Sequence, residues 1–365
     1  MLVSGSATPG TTDKLAFINL FRALAAFWVL VAHCNIWGGW FHPIVPDAKI
    51  AVDLFMMISG YLMIANADRR WSGEPLSNPR NWLRFLVRRY FRIAPAYYVS
   101  LGLAVALGPL FLGGYDVLFD RSTIGLGQNV NPERIVYSPL NVLSHLTFLF
   151  GLHPTGSFST FLPDWSLSLE MQFYAIFPLI MIAFRRFGPI RTALALSAVS
   201  ALATYWVDAV TTFLEPSLLV FKLRYFLVGM LLYEGLRRDA ATPIKFVSIT
   251  AGALLSLGTL ADAQMLIAPA LLLAMAFSGY REKRNGPNRL TGSRFVTFAS
   301  DSSFGVYLFH GFFISAFGLL LSAMPELTAM SVPRQTVLML IFVAPLSYIA
   351  GALSHRWIEI PGVAL

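Results

Sequence analysis

Apolar residues along this chain fall in long runs, and polar residues collect in the shorter stretches between them. Most runs approach or exceed the roughly 18 to 20 residues needed to span hydrocarbon. The pattern predicts ten spanning helices, roughly Ala16–Trp37, Ala51–Ala67, Ala94–Leu112, Trp165–Phe184, Thr192–Ala209, Ser217–Leu236, Phe246–Leu260, Gln264–Gly279, Phe295–Ala316 and Thr336–Ser354. The stretch NVLSHLTFLFGL, within 140–152, is apolar but short, and both its flanks fall on one side. It predicts a re-entrant or surface-lying helix. The expected fold class is an all-α polytopic membrane bundle over residues 14–361. A polar tail at 1–13 precedes it, and no appended soluble domain is expected. The stretch from Gly113 to Asp164 is a long external segment, where function often resides.

Composition agrees with this class. Of 365 residues, 56% are hydrophobic and 13% charged, and the mean hydropathy is +0.64, too apolar for a soluble globular protein. The net charge of +8 raises nucleic acid as a partner, but the basic residues sit between apolar runs, which excludes that reading. With the N-terminus in the cytoplasm, 20 of the 27 Lys and Arg residues fall on the cytoplasmic side. Lys49, Arg121, Arg134 and Arg334 fall outside, and Arg22, Lys222 and Arg224 remain in the membrane. The bias places both termini inside. The lone Cys34 excludes an internal disulfide and reads as a small buried hydrophobe. No HExxH or paired-Cys spacing exists, so no metal site is expected.

Polar residues inside apolar runs are costly and are usually kept for function. In the first run, FINLFRALAAFWVLVAHC, Arg22 and His33 are eleven residues apart and share one helix face, about 16 Å apart along the axis. Counting from the cytoplasmic face puts Arg22 about 12 Å and His33 about 28 Å in. By the same ladder Asp53, Glu170, His310, Lys222 and Arg224 fall in the outer half of the bundle. A histidine beside carboxylates is a proton-abstraction kit, with the carboxylate fixing the imidazole. Each residue also has a structural alternative as a hydrogen-bonding tie between helices. The second constellation, RNWLRFLVRRYFRIAP, is cytoplasmic. Arg89 and Arg92 are one helical turn apart and can face one anion, with Trp82, Arg84 and Arg88 nearby. The alternative is that these arginines only set topology or meet lipid headgroups.

With five fragments in order, the chain resembles the acyltransferase 3 family of bacterial membrane acyltransferases from about Leu15 to Pro361. The fragments are Arg22 with His33, VDLFMMISGY, Arg89-x-x-Arg92 with Ile93 and Pro95, the motif at Trp165, Ser166, Leu167, Glu170, Gln172, Phe173 and Tyr174, and Ser303–Leu308 with His310. Departures are modest: Ala51 stands where the family often has Gly, and Met171 where it often has a second Glu. The resemblance implies O-acylation of a surface glycan (exopolysaccharide, O-antigen or another lipid-linked saccharide) at the bacterial inner membrane, with cytoplasmic acetyl-CoA as donor and no metal.

On that basis Arg89, Arg92 and Arg88 would hold the CoA phosphates, and the arm would rise past Arg22 to His33. His33 would act as general base or transient acyl carrier, oriented by Glu170 or Asp53. Arg224, Lys222, Tyr307, His310, Trp165 and Ser166 are candidates for oxyanion or substrate contacts. A transporter or flippase of a lipid-linked glycan is the competing class, since buried charges serve it equally well.

Overall fold

The computed structural model describes residues 15–40, 47–121, 135, 137–237, 239–257 and 265–364. The predicted tail, His42, Arg134 and Gln264 lie outside them. All regular structure among the described residues is helical. In chain order the elements are α1 (Ala16–Gly38), α2 (Ala48–Arg70), α3 (Pro79–Ala106), α4 (Gly108–Arg121), α5 (Pro139–Leu146), α6 (Trp165–Phe187), α7 (Pro189–Val210), α8 (Leu219–Leu236), α9 (Thr242–Leu255), α10 (Ile267–Asn285), α11 (Arg294–Asp301), α12 (Ser303–Ala323), α13 (Pro325–Thr328) and α14 (Val332–Ser354). A π turn over His355–Glu359 and a last short helix, α15 (Ile360–Ala364), follow.

All ten predicted runs are helical over most of their length. By length and composition, six of the described helices can cross a membrane: α1, α2, α6, α7, α12 and α14 with its continuation to Gly362. The bent pair α3 and α4 makes a seventh if counted as one span. The other runs are shorter or more charged: α9 has 14 residues, and α8 carries Lys222, Arg224 and Glu234.

Two predicted spans differ in shape. The base-rich stretch and the following apolar run form one continuous helix, α3, whose start is capped by the Asn78 side chain accepting from the Arg80 amide. The chain then turns by 80° at Leu107 into α4. Gly108 precedes Pro109, whose ring disfavours helical backbone just before it and which has no N–H to continue the ladder. The predicted span 295–316 is likewise broken at Ser302 into α11 and α12. Its polar side chains turn to α1 instead: Ser300 Oγ donates to Asn19 Oδ1, and Ser303 Oγ accepts from Arg22. This break makes Tyr307 and His310 early residues of α12. The stretch 140–152 forms only the eight-residue α5 and a 3₁₀ turn over Phe150–Leu152, which is too short to cross as a helix.

Packing places α1 against α2, α11, α12 and α14, while α2 lies along α8. The α2–α8 contact is made by two glycines facing opposite backbones. A Cβ on Gly60 would sit 2.0 Å from Phe226 O, and one on Gly229 only 1.8 Å from Met57 O. Small residues let helix backbones approach where apolar burial does not drive association. α7 instead presents Leu194, Val199, Leu202 and Trp206 outward, as a lipid-facing surface requires. The start of α1 is tied to the end of α10, because the Glu282 carboxylate accepts the Ala16 and Phe17 amides at 2.8 and 2.6 Å.

Candidate active site

Arg89 and Arg92 project from α3 into two adjoining spaces. The outer one, of about 260 Å³, lies at the basic end of the bundle and is lined by Asn66, Arg70, Glu74, Phe85 and Arg88 together with Arg89 and Arg92. The inner one, of about 110 Å³, shares the two arginines and continues to Arg22, Ser59, Glu170, Tyr174, Ser303, Ser166 and Tyr307. The two spaces adjoin at this shared pair of guanidinium groups, and Arg22 adds a third cation to the inner one.

The arginines differ in what they already hold. Arg88 is bound to Glu74 at 2.8 Å, and Arg70 approaches the same carboxylate at 3.7 Å. Burial opposes ionisation of Glu74, but Arg88, Arg70 and Arg84 together keep its carboxyl below the ordinary range. Among the described residues, Arg89 and Arg92 make no ion pair; Arg89 lies 5.7 Å from the Phe85 ring centroid. Two guanidinium groups in a concave space with no carboxylate paired to them suit a polyanion.

Deeper in, Arg22 donates to Ser303 Oγ at 3.1 Å, which links α1 to the start of α12. The Glu170 carboxylate lies beside Ser59 in the inner space and faces Arg92, Arg22 and Arg89. The fold therefore unites Arg22, Glu170, Arg89 and Arg92, four residues drawn from α1, α6 and α3. Two residues lining the inner space, Ser166 and Tyr307, are hydrogen-bonded to each other. The Tyr307 hydroxyl donates its one proton to Pro163 O, so the Ser166 hydroxyl, 2.9 Å away, donates to Tyr307.

His33 does not line this space. The single passage from Arg89 to His33 expected from the sequence is not formed by this space, which Ser166 and Tyr307 line and His33 does not. Behind Tyr307 stands His310, with ring centroids 6.4 Å apart, and His310 meets His33 with ring centroids 4.9 Å apart. The partner of His33 is thus a second histidine and not Glu170 or Asp53. His310 Nε2 lies 3.1 Å from His33 Nδ1.

Asp53 is engaged elsewhere. It forms a 2.7 Å ion pair with Lys222 that ties α2 to α8. A cation that already neutralises a buried carboxylate is a poor oxyanion donor, which moves Lys222 out of that role. Arg224 points toward the end of α9, donating to Leu257 O at 3.2 Å and to the Tyr225 hydroxyl at 3.0 Å. Trp165 is buried as the first residue of α6 and does not line the inner space.

One further cluster is not among the residues expected from the sequence. His145, on α5, is fully buried and lies 3.1 Å from Asp164 Oδ2, 2.8 Å from the Tyr97 hydroxyl and 3.0 Å from Ser159 Oγ. Tyr97 also donates to Asp164 at 2.8 Å. The cluster fastens the segment before α6 to α3. Pro163, the acceptor of the Tyr307 hydroxyl, directly precedes Asp164, and Ser166 follows two residues after it, so the cluster also bears on the Ser166–Tyr307 pair. The signal that existed was Asp164 directly before the Trp165–Tyr174 motif.

Comparison with known proteins followed the same lines. Residues 15–352 match a family described as an acyltransferase domain. Similar curated proteins include the peptidoglycan O-acetyltransferase OatA of Listeria monocytogenes, 29% identical over 174 residues, which covers 46% of this chain and 24% of that protein. The exopolysaccharide production protein ExoZ of Rhizobium meliloti is 26% identical over 275 residues, covering 72% of this chain and 76% of ExoZ. The regulator of hypoxia-inducible factor 1 of Caenorhabditis elegans is 24% identical over 211 residues, covering 52% and 38% of the two chains. The matched regions thus span well under half the length of OatA and of the nematode protein. No solved structure matches the chain.

Proposed function

Because this chain belongs to the acyltransferase family matched over residues 15–352, we propose that it moves a short acyl group, acetyl first, from cytoplasmic acyl-CoA to a hydroxyl of a surface glycan. The observation that carries this reading is that Arg89 and Arg92 line both spaces. CoA is a polyanion with a long, narrow pantetheine arm. Its phosphates match the two guanidinium groups at the basic end, and its arm matches the inner space that rises past Arg22. The positive-inside bias supports a cytoplasmic basic end.

The thioester would stop near Ser166 and Tyr307. The acceptor hydroxyl would enter from the opposite side, toward His33, which is half-buried. For the two to meet, the Tyr307 ring must swing out of its Ser166–Pro163 bonds. His33 then takes the hydroxyl proton as the oxygen attacks the thioester carbonyl, the C–S bond breaks, and the proton passes to the leaving thiolate. The products are the glycan ester and free CoA thiol. Glu170 sits among the arginines and sets the charge of the donor passage, while Arg22 steadies the donor's polar arm.

The test is incubation of the purified full chain with radiolabelled acetyl-CoA and the host's surface glycan. Label in the glycan with release of thiol supports transfer. Glycan movement across a vesicle membrane with no label transfer would instead establish a flippase.

A further inference from the structure

The hydrogen bonds around the two histidines determine where their protons sit. His310 Nδ1 lies 3.0 Å from Val306 O, one turn back on α12. A carbonyl oxygen only accepts, so His310 Nδ1 carries the proton. A neutral His310 then presents a lone pair at Nε2. His33 Nδ1 lies 3.1 Å from that Nε2 and 3.0 Å from Val29 O, so it faces two acceptors and must itself carry hydrogen. Reversing the central bond would place a lone pair of His33 Nδ1 against Val29 O at 3.0 Å, a contact between two acceptors. With neutral rings, only one arrangement avoids an acceptor–acceptor contact: the single His33 Nδ1 hydrogen is shared between Val29 O and His310 Nε2. In it His33 Nε2 bears the free lone pair, and that atom has no hydrogen-bond partner among the described residues.

We propose that His310 is a positioning residue that holds His33 as its Nδ1–H tautomer, leaving His33 Nε2 as the atom that accepts the substrate proton. The inference rests on the reading of His33 as proton acceptor. In the reaction, the hydroxyl proton arrives at His33 Nε2, and the Nδ1–H bond to His310 Nε2 strengthens as the ring becomes cationic. His310 thus fills the place that a carboxylate would take, without bringing a negative charge beside the acyl group. It is 1% exposed and is held in turn by Val306 O, so its ring has little freedom to reorient.

The test joins a spectroscopic readout with kinetics on the full chain in nanodiscs. Nitrogen NMR of protein labelled at histidine, with His33 and His310 identified by their substitutions, reports each tautomer directly. Both rings should be protonated at Nδ1 and free at Nε2. A His33 ring protonated at Nε2 would overturn the proposal, whatever the activity. His310→Leu removes the acceptor and should lower kcat for label transfer from acetyl-CoA at least about tenfold, with KM for acetyl-CoA changed less than about twofold. His310→Gln, whose amide oxygen can take the position of Nε2, should regain most of that loss. Unchanged kcat in a folded His310→Leu, or equal loss in Leu and Gln variants that retain the wild-type melting temperature, would overturn the positioning role. Full activity in His33→Ala would remove the base reading while leaving the tautomer result standing, so the two failures are separable.

Discussion

Replacing Arg89 and Arg92 perturbs the proposed donor site where its two spaces adjoin. Neither arginine makes a direct ion pair among the described residues, although Glu170 faces both, so a melting curve of each variant separates lost charge compensation at Glu170 from lost ligand affinity. A hydrogen bond to a charged partner contributes about 1.5 to 3 kcal/mol, which is about tenfold to 10²-fold in affinity. Arg89→Ala should therefore raise the dissociation constant for acetyl-CoA by about tenfold to 10²-fold. The double variant should lose more, though less than the product of the singles, because both groups face one anion cluster. Arg89→Lys keeps the charge without the planar fork and should lie between wild type and Ala. Rising salt should weaken wild-type binding more than binding by the double variant. Titration calorimetry of the purified protein with acetyl-CoA gives the constants, and steady-state transfer separates KM from kcat. A double Ala variant that binds acetyl-CoA within about twofold of wild type would refute the assignment of this site to the donor.

Three further perturbations follow from particular contacts. Tyr307→Phe removes the hydroxyl that joins Ser166 to Pro163 and should cost about 1 to 2 kcal/mol of stability; it should also speed acetyl-CoA hydrolysis without glycan, read as free thiol, because the ring between the inner space and His310 loses the bonds that hold it. Asp53→Asn leaves the Lys222 ammonium without its carboxylate and should destabilise by about 3 kcal/mol or more, whereas Asp53→Asn with Lys222→Met should recover most of the melting temperature. Gly229→Val drives a side chain into Met57 O and should abolish properly folded protein, seen as loss of a monodisperse peak in size exclusion; an ordinary peak would contradict the close α2–α8 approach.

The helices were legible because hydropathy acts residue by residue along the chain. The breaks were less so. Leu107 turns because Gly108-Pro109 follows it, a local signal that the apolar run outweighed. The interruption at Ser302 has no such local signal; the serines on either side of it, Ser300 and Ser303, bond Asn19 and Arg22 of α1. The union of Arg22, Glu170, Arg89 and Arg92 was partly legible, since each is a costly charge within or beside an apolar run. Pairing was not. Asp53 and His33 share a depth, yet Asp53 turns to Lys222, the oppositely charged residue at that same depth on α8. That choice was open to electrostatic reasoning from the sequence. The meeting of His33 with His310 was not, because two neutral imidazoles have no charge to betray them and the contact depends on how α12 packs against α1. The His145 cluster offered only Asp164 as a signal, and its meeting with Tyr97 depends on how the segment before α6 packs against α3.

The central claim is that His33 takes the acceptor's proton, and its most direct test is transfer of label from acetyl-CoA to surface glycan by His33→Ala in protein shown to be folded and to bind acetyl-CoA with wild-type affinity. Loss of the base should lower kcat by about 10² to 10⁴. Transfer at a rate near wild type by that same folded, donor-binding variant would contradict it.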